Sequence, residues 1–406
     1  YRTIHSSLSF TPKNESTFFR KELSQILVNY TLRINDTDDK TFLQFIDLPS
    51  MDKSSQAMMR MLFSEKNLGS SMDVGFKGNP NIGSIVLNQI VDSNDFQDFA
   101  NNFESGDKIF IISSIFGGTG ASGFPLLLKT LRTGTNFPNN DLINHAEIGA
   151  ITILPYFKLK NDDESEIDSS TFISKTKSAL AYYENNISKN KSIDALYFLA
   201  DNVTNTYENH EGGSAQQNDA HLVEFLAATA IVDFSNKQHA NTSNKELGLK
   251  ELTNSVTFDS FYENQKCLVF APLTEFMMMT NCLNHKFDYY SSKDFNANND
   301  NFNGLYGSSF MTELQNLTGL FIEWLDEMKR NKRSLDLFNL NTKDKPFEVV
   351  TGVKPKKIIS FKSDYDLVTD RLNSAVKKCQ SKEDNDKFLE MFFLAMRKLF
   401  NEKFNA

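Results

Sequence analysis

Three stretches of the chain are apolar almost residue by residue: DKIFIISSIF at 107–116, AEIGAITILPYF at 146–157 and IDALYFLADN at 193–202. Short runs of this kind, rich in Ile and Phe, predict strands buried on both faces. Each is followed by a polar or glycine-rich loop and then by helical spacing, in FPLLLKTLR, SKTKSALAYYENNI and HLVEFLAATAIVDF. Strand, loop and helix thus alternate three times, the pattern of a parallel sheet covered by helices on both sides. Upstream, FFRKELSQILVNYTL and MDKSSQAMMRMLFSEKN carry apolar residues at helical spacing. Beyond about residue 240 the pattern loosens. QKCLVFAPL predicts a strand, MTELQNLTGLFIEWLDEMKRN an amphipathic helix, FEVVTG and KKIISF two strands, and NDKFLEMFFLAMRKLFNEKF a terminal helix. We therefore expect a helical segment at 1–68, an α/β domain at 69–219, a central helix at 220–240 and a smaller second α/β domain at 241–406.

Composition narrows the function classes. With 406 residues and 40% apolar content the chain has material for two cores. A net charge of −9 argues against general affinity for nucleic acid or anionic membrane. No run of about 18 apolar residues occurs, so no membrane span is expected. Cys267, Cys282 and Cys379 are an odd, scattered set, which excludes a disulfide framework and suits the cytoplasm. Residue 1 is Tyr rather than Met, and we expect an N-terminal piece to precede it.

Glycine is scarce but concentrated. Only 18 of 406 residues are Gly, and none occurs before Gly69. The densest cluster is Gly117-Gly118-Thr119-Gly120-Ala121-Ser122-Gly123, between the first predicted strand and its helix. A glycine turn there exposes consecutive backbone N–H groups, and the helix N-terminus adds about half a positive charge. Phosphate is the natural ligand, with Thr119 and Ser122 as hydroxyl donors. Gly118-x-Gly120-x-x-Gly123 also matches the dinucleotide fingerprint, which wants an acidic residue closing the next strand. That strand ends ITILPYF, with no acid until Asp162, and the lysine of a Walker loop is absent because Phe124 follows Gly123.

GGTGASG in this setting resembles the GGGTG[ST]G signature of the tubulin/FtsZ superfamily, with Phe116 in place of the first glycine. Four further matches follow in register across about residues 73–234. Gly75-Phe76-Lys77-Gly78-Asn79-Pro80-Asn81-Ile82-Gly83 resembles the GAGANPxxG loop. AEIGAITILPYF is similar to the next strand of that family, and IDALYFLADN to the strand ending in a base-contacting polar pair. Asn218-Asp219 stands where the family's central helix opens.

The resemblance implies a Rossmann-like parallel-sheet GTPase domain followed by a smaller α/β domain, binding GTP or GDP with Mg²⁺ as a companion ion. Gly117, Gly118, Thr119 and Gly120 would cradle the α- and β-phosphates, with Ser122 and Gly123 completing the signature. Gly75, Gly78, Asn79 and Pro80 would face the γ-phosphate, and Glu164 or Glu166 the ribose. Asp201 or Asn202, with Asn218 or Asp219, would read the guanine edge; Asn218 and Asp219 serve equally as helix caps. Catalytic carboxylates in this superfamily come from the neighbouring subunit, and Asp259 and Glu263 are the nearest candidates, although their spacing departs from NxDxxD. The family's first strand and its glycine loop should precede residue 75, yet residues 1–68 hold no glycine. We expect that unit in a preceding piece or from another chain. The implied function is a nucleotide-binding protein, with GTP hydrolysis and head-to-tail self-association as the family's mode. A non-hydrolysing or structural component of a larger complex is the alternative, and a nicotinamide-dependent oxidoreductase a third reading. His210, Glu211, Asp219 and His221 match no metal-ligand spacing, and Met277-Met278-Met279 reads as core.

Overall fold

The computed structural model describes residues 1–9, 18–19, 34, 37–73, 75–76, 78–160, 169–203, 205–210, 218–236, 248–293, 295, 302–343, 345–357 and 362–404. The chain divides into two compact units. One comprises Tyr30–Asn218 and Val223–Asn244; the other comprises Tyr1–Asn29, Asp219–Leu222 and Lys245–Ala406. The division near residue 245 is close to the expected boundary, but the first residues belong with the C-terminal unit rather than with a separate segment 1–68.

In the first unit, α1 (Lys53–Leu62) and α2 (Pro80–Val86) precede β1 (Lys108–Ser114) and α3 (Gly118–Thr133). Then come β2 (Glu147–Ile153), β3 (Phe157–Leu159), α4 (Phe172–Tyr183), β4 (Ala195–Leu199), β5 (Asn205–Tyr207) and α5 (Leu222–Asn236). The three predicted strands form one parallel sheet of order β1-β2-β4, with Lys108 opposite Glu147 and Gly149 opposite Ala195. A short parallel pair, β3-β5, follows. The architecture is α/β, as the alternation predicts.

Both faces of the sheet are packed. On one, Phe124, Leu128 and Leu131 of α3 and Tyr183 of α4 bury against Ile148 and Ala150. On the other, the small side chains of Ala227 and Ala230 bring α5 onto Ile151. Phe234 lies 5.3 Å from Phe110 and close over Gly149, where a Cβ would sit 2.7 Å from its ring. Tyr197 donates its hydroxyl to Asp233 at 2.9 Å, tying β4 to α5. The outer edge of β1 has no ladder partner among the described residues, and Ile112 is 54% exposed there. The helical stretch read at MDKSSQAMMRMLFSEKN is α1 and the short helix Glu65–Leu68, but α1 buries none of its residues. FFRKELSQILVNYTL lies largely outside the described residues.

The second unit is chiefly helical: α6 (Glu263–His285), α7 (Ser309–Arg330), α8 (Asp364–Val376) and α9 (Asp384–Lys403). α7 and α9 stand where the apolar spacing put helices. QKCLVFAPL is not a strand; it lies inside α6, with Pro272 tolerated in the helix interior. FEVVTG forms turns, with one bridge from Val350 to Phe338. KKIISF lies largely outside the described residues. The strands there are the two-residue pair β6 (Ser255–Val256) and β7 (Ser334–Leu335). Met277, Met278 and Met279 are core, as read. At the chain's start, the Ser9 backbone N–H and hydroxyl both donate to the buried Asp386 carboxylate of α9.

Glu275 is the costly group in this core. Its side chain is 4% exposed, with the Arg397 guanidinium 3.7 Å away. Burial pushes its carboxyl up to about 7 from an ordinary 4.5, although Arg397 pulls the other way. Between those values the folded chain holds a proton that the unfolded chain releases, so stability falls as pH rises through the window, by about 3 kcal/mol in all. Urea denaturation across pH 4 to 8 should show this decline, and Glu275→Gln should flatten it; an unchanged slope in the variant would remove Glu275 as the cause.

Candidate functional site

β1 delivers the chain at Ser114 to a three-residue turn whose side chains point into the core. Ile115 is fully buried, and Phe116 packs 5.7 Å from Phe157 and 4.9 Å from Phe172. The residue that replaces the family's first glycine is therefore an anchor beneath the turn. α3 then begins at Gly118, so the glycine cluster forms the first turn and a half of a helix rather than a loop ahead of it. Its N-cap, Gly117, has no side chain to cap the first N–H groups. Uncapped N–H donors and the helix dipole give this end a partial positive charge.

Two glycines set the geometry by close approach. A Cβ on Gly120 would meet the Ser114 carbonyl oxygen at 2.5 Å, so α3 starts hard against the end of β1. A Cβ on Gly118 would meet the Asn79 backbone nitrogen and Phe76 Cβ, both at 3.0 Å. The loop at 75–80 thus abuts the start of α3. Gly75 and Gly78 both take positive φ, +59° and +71°. The hydroxyl of Thr119 lies 3.4 Å from the Cβ position of Gly75 and has no hydrogen-bond partner among the described residues. The two glycine-bearing segments picked out in the sequence are therefore brought together at the carboxyl end of the sheet, where open α/β sheets bind ligands.

Other side chains of the set are already engaged. Asn79 caps α2, its Oδ1 accepting from the N–H groups of Asn81 at 3.1 Å and Ile82 at 3.4 Å, with Pro80 in the first turn. Ser122 is buried and donates back to the Gly118 carbonyl at 2.7 Å, so its hydroxyl serves the helix. Gly123 faces Leu87, away from the helix start. Asp201 and Asn202 follow β4 at the same end of the sheet, and Asp201 Oδ1 accepts from the Asn202 N–H at 2.7 Å. α5 opens at Leu222, so Asn218 and Asp219 stand ahead of its first turn rather than at its cap. Glu164 and Glu166 lie outside the described residues.

In the other unit, Asp259 sits in a 3₁₀ turn and pairs with Lys266 at 2.6 Å. Glu263 begins α6, and its carboxylate accepts from the Cys267 thiol at 3.7 Å.

Three features escaped sequence reasoning. Lys175, on α4, donates to the Gly78 carbonyl at 2.8 Å and steadies the 75–80 loop; nothing in its sequence neighbourhood marks it. Ser113 and Thr152 face each other in register near the strand ends, both hydroxyls buried without a partner among the described residues. Polar residues in otherwise apolar strands were the available signal. No group of three His, Cys, Asp or Glu side chains among the described residues could hold a metal ion, and none of the described helices is long and apolar enough to cross a membrane. No family model, curated protein or solved structure matches the chain.

Gly120→Ala should destabilise the first unit by about 1–3 kcal/mol, because the Ser114 carbonyl must move. Thr119→Ala should stay within about 0.5 kcal/mol of the parent. Chemical denaturation of both variants checks the pair, and equal stability would mean that α3 does not depend on this approach.

Proposed function

We propose that the first unit binds a guanine nucleotide, GTP or GDP, in the manner of the tubulin/FtsZ superfamily. The observation that carries this is the meeting of Gly75–Pro80 with the uncapped start of α3. The N–H groups of Gly117, Gly118, Thr119 and Gly120, with the Thr119 hydroxyl, would receive the α- and β-phosphates. The backbone at Gly78, Asn79 and Pro80, fastened by Lys175, would face the γ-phosphate. Asp201 and Asn202, which follow β4, would meet the base, an acceptor and a donor suited to a purine edge. No ready-made carboxylate cluster exists among the described residues, so Mg²⁺ would arrive held by the phosphates and neutralise their charge. Head-to-tail self-association and a cytoplasmic setting belong to the same proposal.

A second reading, nucleotide binding without hydrolysis, is favoured by the state of the catalytic candidates. The Asp259 carboxylate is held by Lys266, and Glu263 is absorbed into the start of α6.

Ion-exchange chromatography of small molecules extracted from the purified chain should yield GTP or GDP; NAD would favour the oxidoreductase reading, and an empty protein a structural role. Titration with a fluorescent GTP analogue should show Thr119→Ala binding about tenfold more weakly, the worth of one hydrogen bond to a charged group. Undiminished affinity would move the phosphates elsewhere. If GTP turnover is measurable and survives Asp259→Ala with Glu263→Ala, those two residues have no catalytic role.

A further inference from the structure

A groove of about 1270 Å³ runs along α3, between α2 at one end and α4 with the turn that follows it. It begins beside the 75–80 loop but extends away from it, to Asn190 and Ser192. No Asp or Glu lines it, although acidic residues outnumber basic ones in the chain by 52 to 43. Three cations do: Lys129, Arg132 and Lys175. Arg132 and Lys175 are committed to protein oxygens, whereas the Lys129 ammonium has no partner among the described residues.

One buried polar group of the lining residues has no partner among the described residues. Tyr183 is only 1% exposed, and its hydroxyl has no hydrogen-bond partner among the described residues. A buried donor without a partner costs about 1–3 kcal/mol unless a water or ligand meets it. Burial also pushes the phenol pKa up, so the group stays a donor. Pro125, one turn after Ala121 within α3, has no N–H to offer the Ala121 carbonyl in the i to i+4 pattern. Ala121 and Pro125 both line the groove. Where α4 continues, Glu184–Ser188 widens into a π-helical turn and sets Asn186 and Ile187 in the wall. Single π turns of this kind recur at functional sites.

We propose that the part of this groove beyond the 75–80 loop, along Leu126, Lys129 and Tyr182, is a binding site for a small organic anion with an apolar body; only its near end, at Gly78–Pro80 and Lys175, is shared with the nucleotide reading, on which this proposal does not rest. The anionic head pairs with Lys129. The body lies on Leu126 and on the half-exposed ring of Tyr182. No acidic residue among the described lining residues repels an anion, and Lys129, the lining cation without a described partner, sits in the last turn and a half of α3.

Anilinonaphthalene sulfonate, an aryl anion, is the probe. Its fluorescence should rise on saturable binding of one molecule per chain. Lys129→Glu should weaken that binding by about tenfold or more, the worth of about 1.4 kcal/mol. Ser178→Trp, an exposed lining position on α4, should block it by filling the groove. Met61→Lys, on the exposed face of α1, should change nothing. Circular dichroism melting reports that each variant is folded. If Lys129→Glu and Ser178→Trp both retain the parent affinity, or if Met61→Lys abolishes binding, the proposal is wrong. The titrations use nucleotide-free protein, and GTP binding is scored separately; Lys129→Glu should leave it unchanged, which keeps the two readings apart.

Discussion

Arg132 holds the first unit together at the end of the sheet opposite the candidate site. Its guanidinium donates to the carbonyls of Ser192 at 2.7 Å, Asn144 at 3.1 Å and Ala146 at 2.7 Å. It also pairs with Asp194 at 2.6 Å, and the same carboxylate oxygen accepts from the Ile148 N–H at 2.8 Å. One side chain at the close of α3 thus satisfies the backbone that enters β2 and β4. The planar, five-donor fork of arginine suits this work, and a lysine would leave most of these oxygens without a donor. The constraint propagates along α3. Its far end is fixed by Arg132 and its near end by the contact of Gly120 with Ser114, so the helix has no freedom to slide over the sheet. The first-turn N–H groups are therefore held in place before any ligand arrives, and preorganised donors lose little when they bind an anion.

Much of the first unit is legible in its residues because its signals are physical ones. A run without alternation marks a strand of a covered parallel sheet, and 107–116, 146–157 and 193–202 are such runs. Yet only β2 is buried nearly throughout, while Ile112 of β1 and Phe198 of β4 are 54% and 52% exposed. Glycine density at 117–123 marks close backbone approach, which Gly118 and Gly120 display. The roles of individual side chains were less legible. Ser122 reads as a phosphate donor until the helix is found to begin at Gly118, which turns its hydroxyl back on the chain. Lys175 acts on Gly78 across 97 residues, and no local pattern announces so distant a partner.

The second unit misled for a different reason. QKCLVFAPL is short, apolar and ends in Pro-Leu, and such a run is ambiguous between strand and buried helix. Packing decides it. Phe270 meets Phe258 at 4.9 Å and Phe400 at 5.3 Å, and Phe276 meets Phe321 at 5.1 Å. α6 is flanked by apolar partners on several sides, so no single stripe of hydrophobic residues was available to reveal its helical period.

The outer edge of β1 bears on how the protein behaves as a colloid. A parallel strand with a half-exposed Ile112, no charge from Ile109 to Ser114 and no ladder partner among the described residues carries the combination that templates edge-to-edge pairing. Net charge of −9 keeps separate molecules apart at low ionic strength, but salt screens that repulsion within about 10 Å at 0.1 M. At this edge a long-range repulsion that salt weakens is set against a short-range attraction that salt leaves intact, so added salt favours contact between copies.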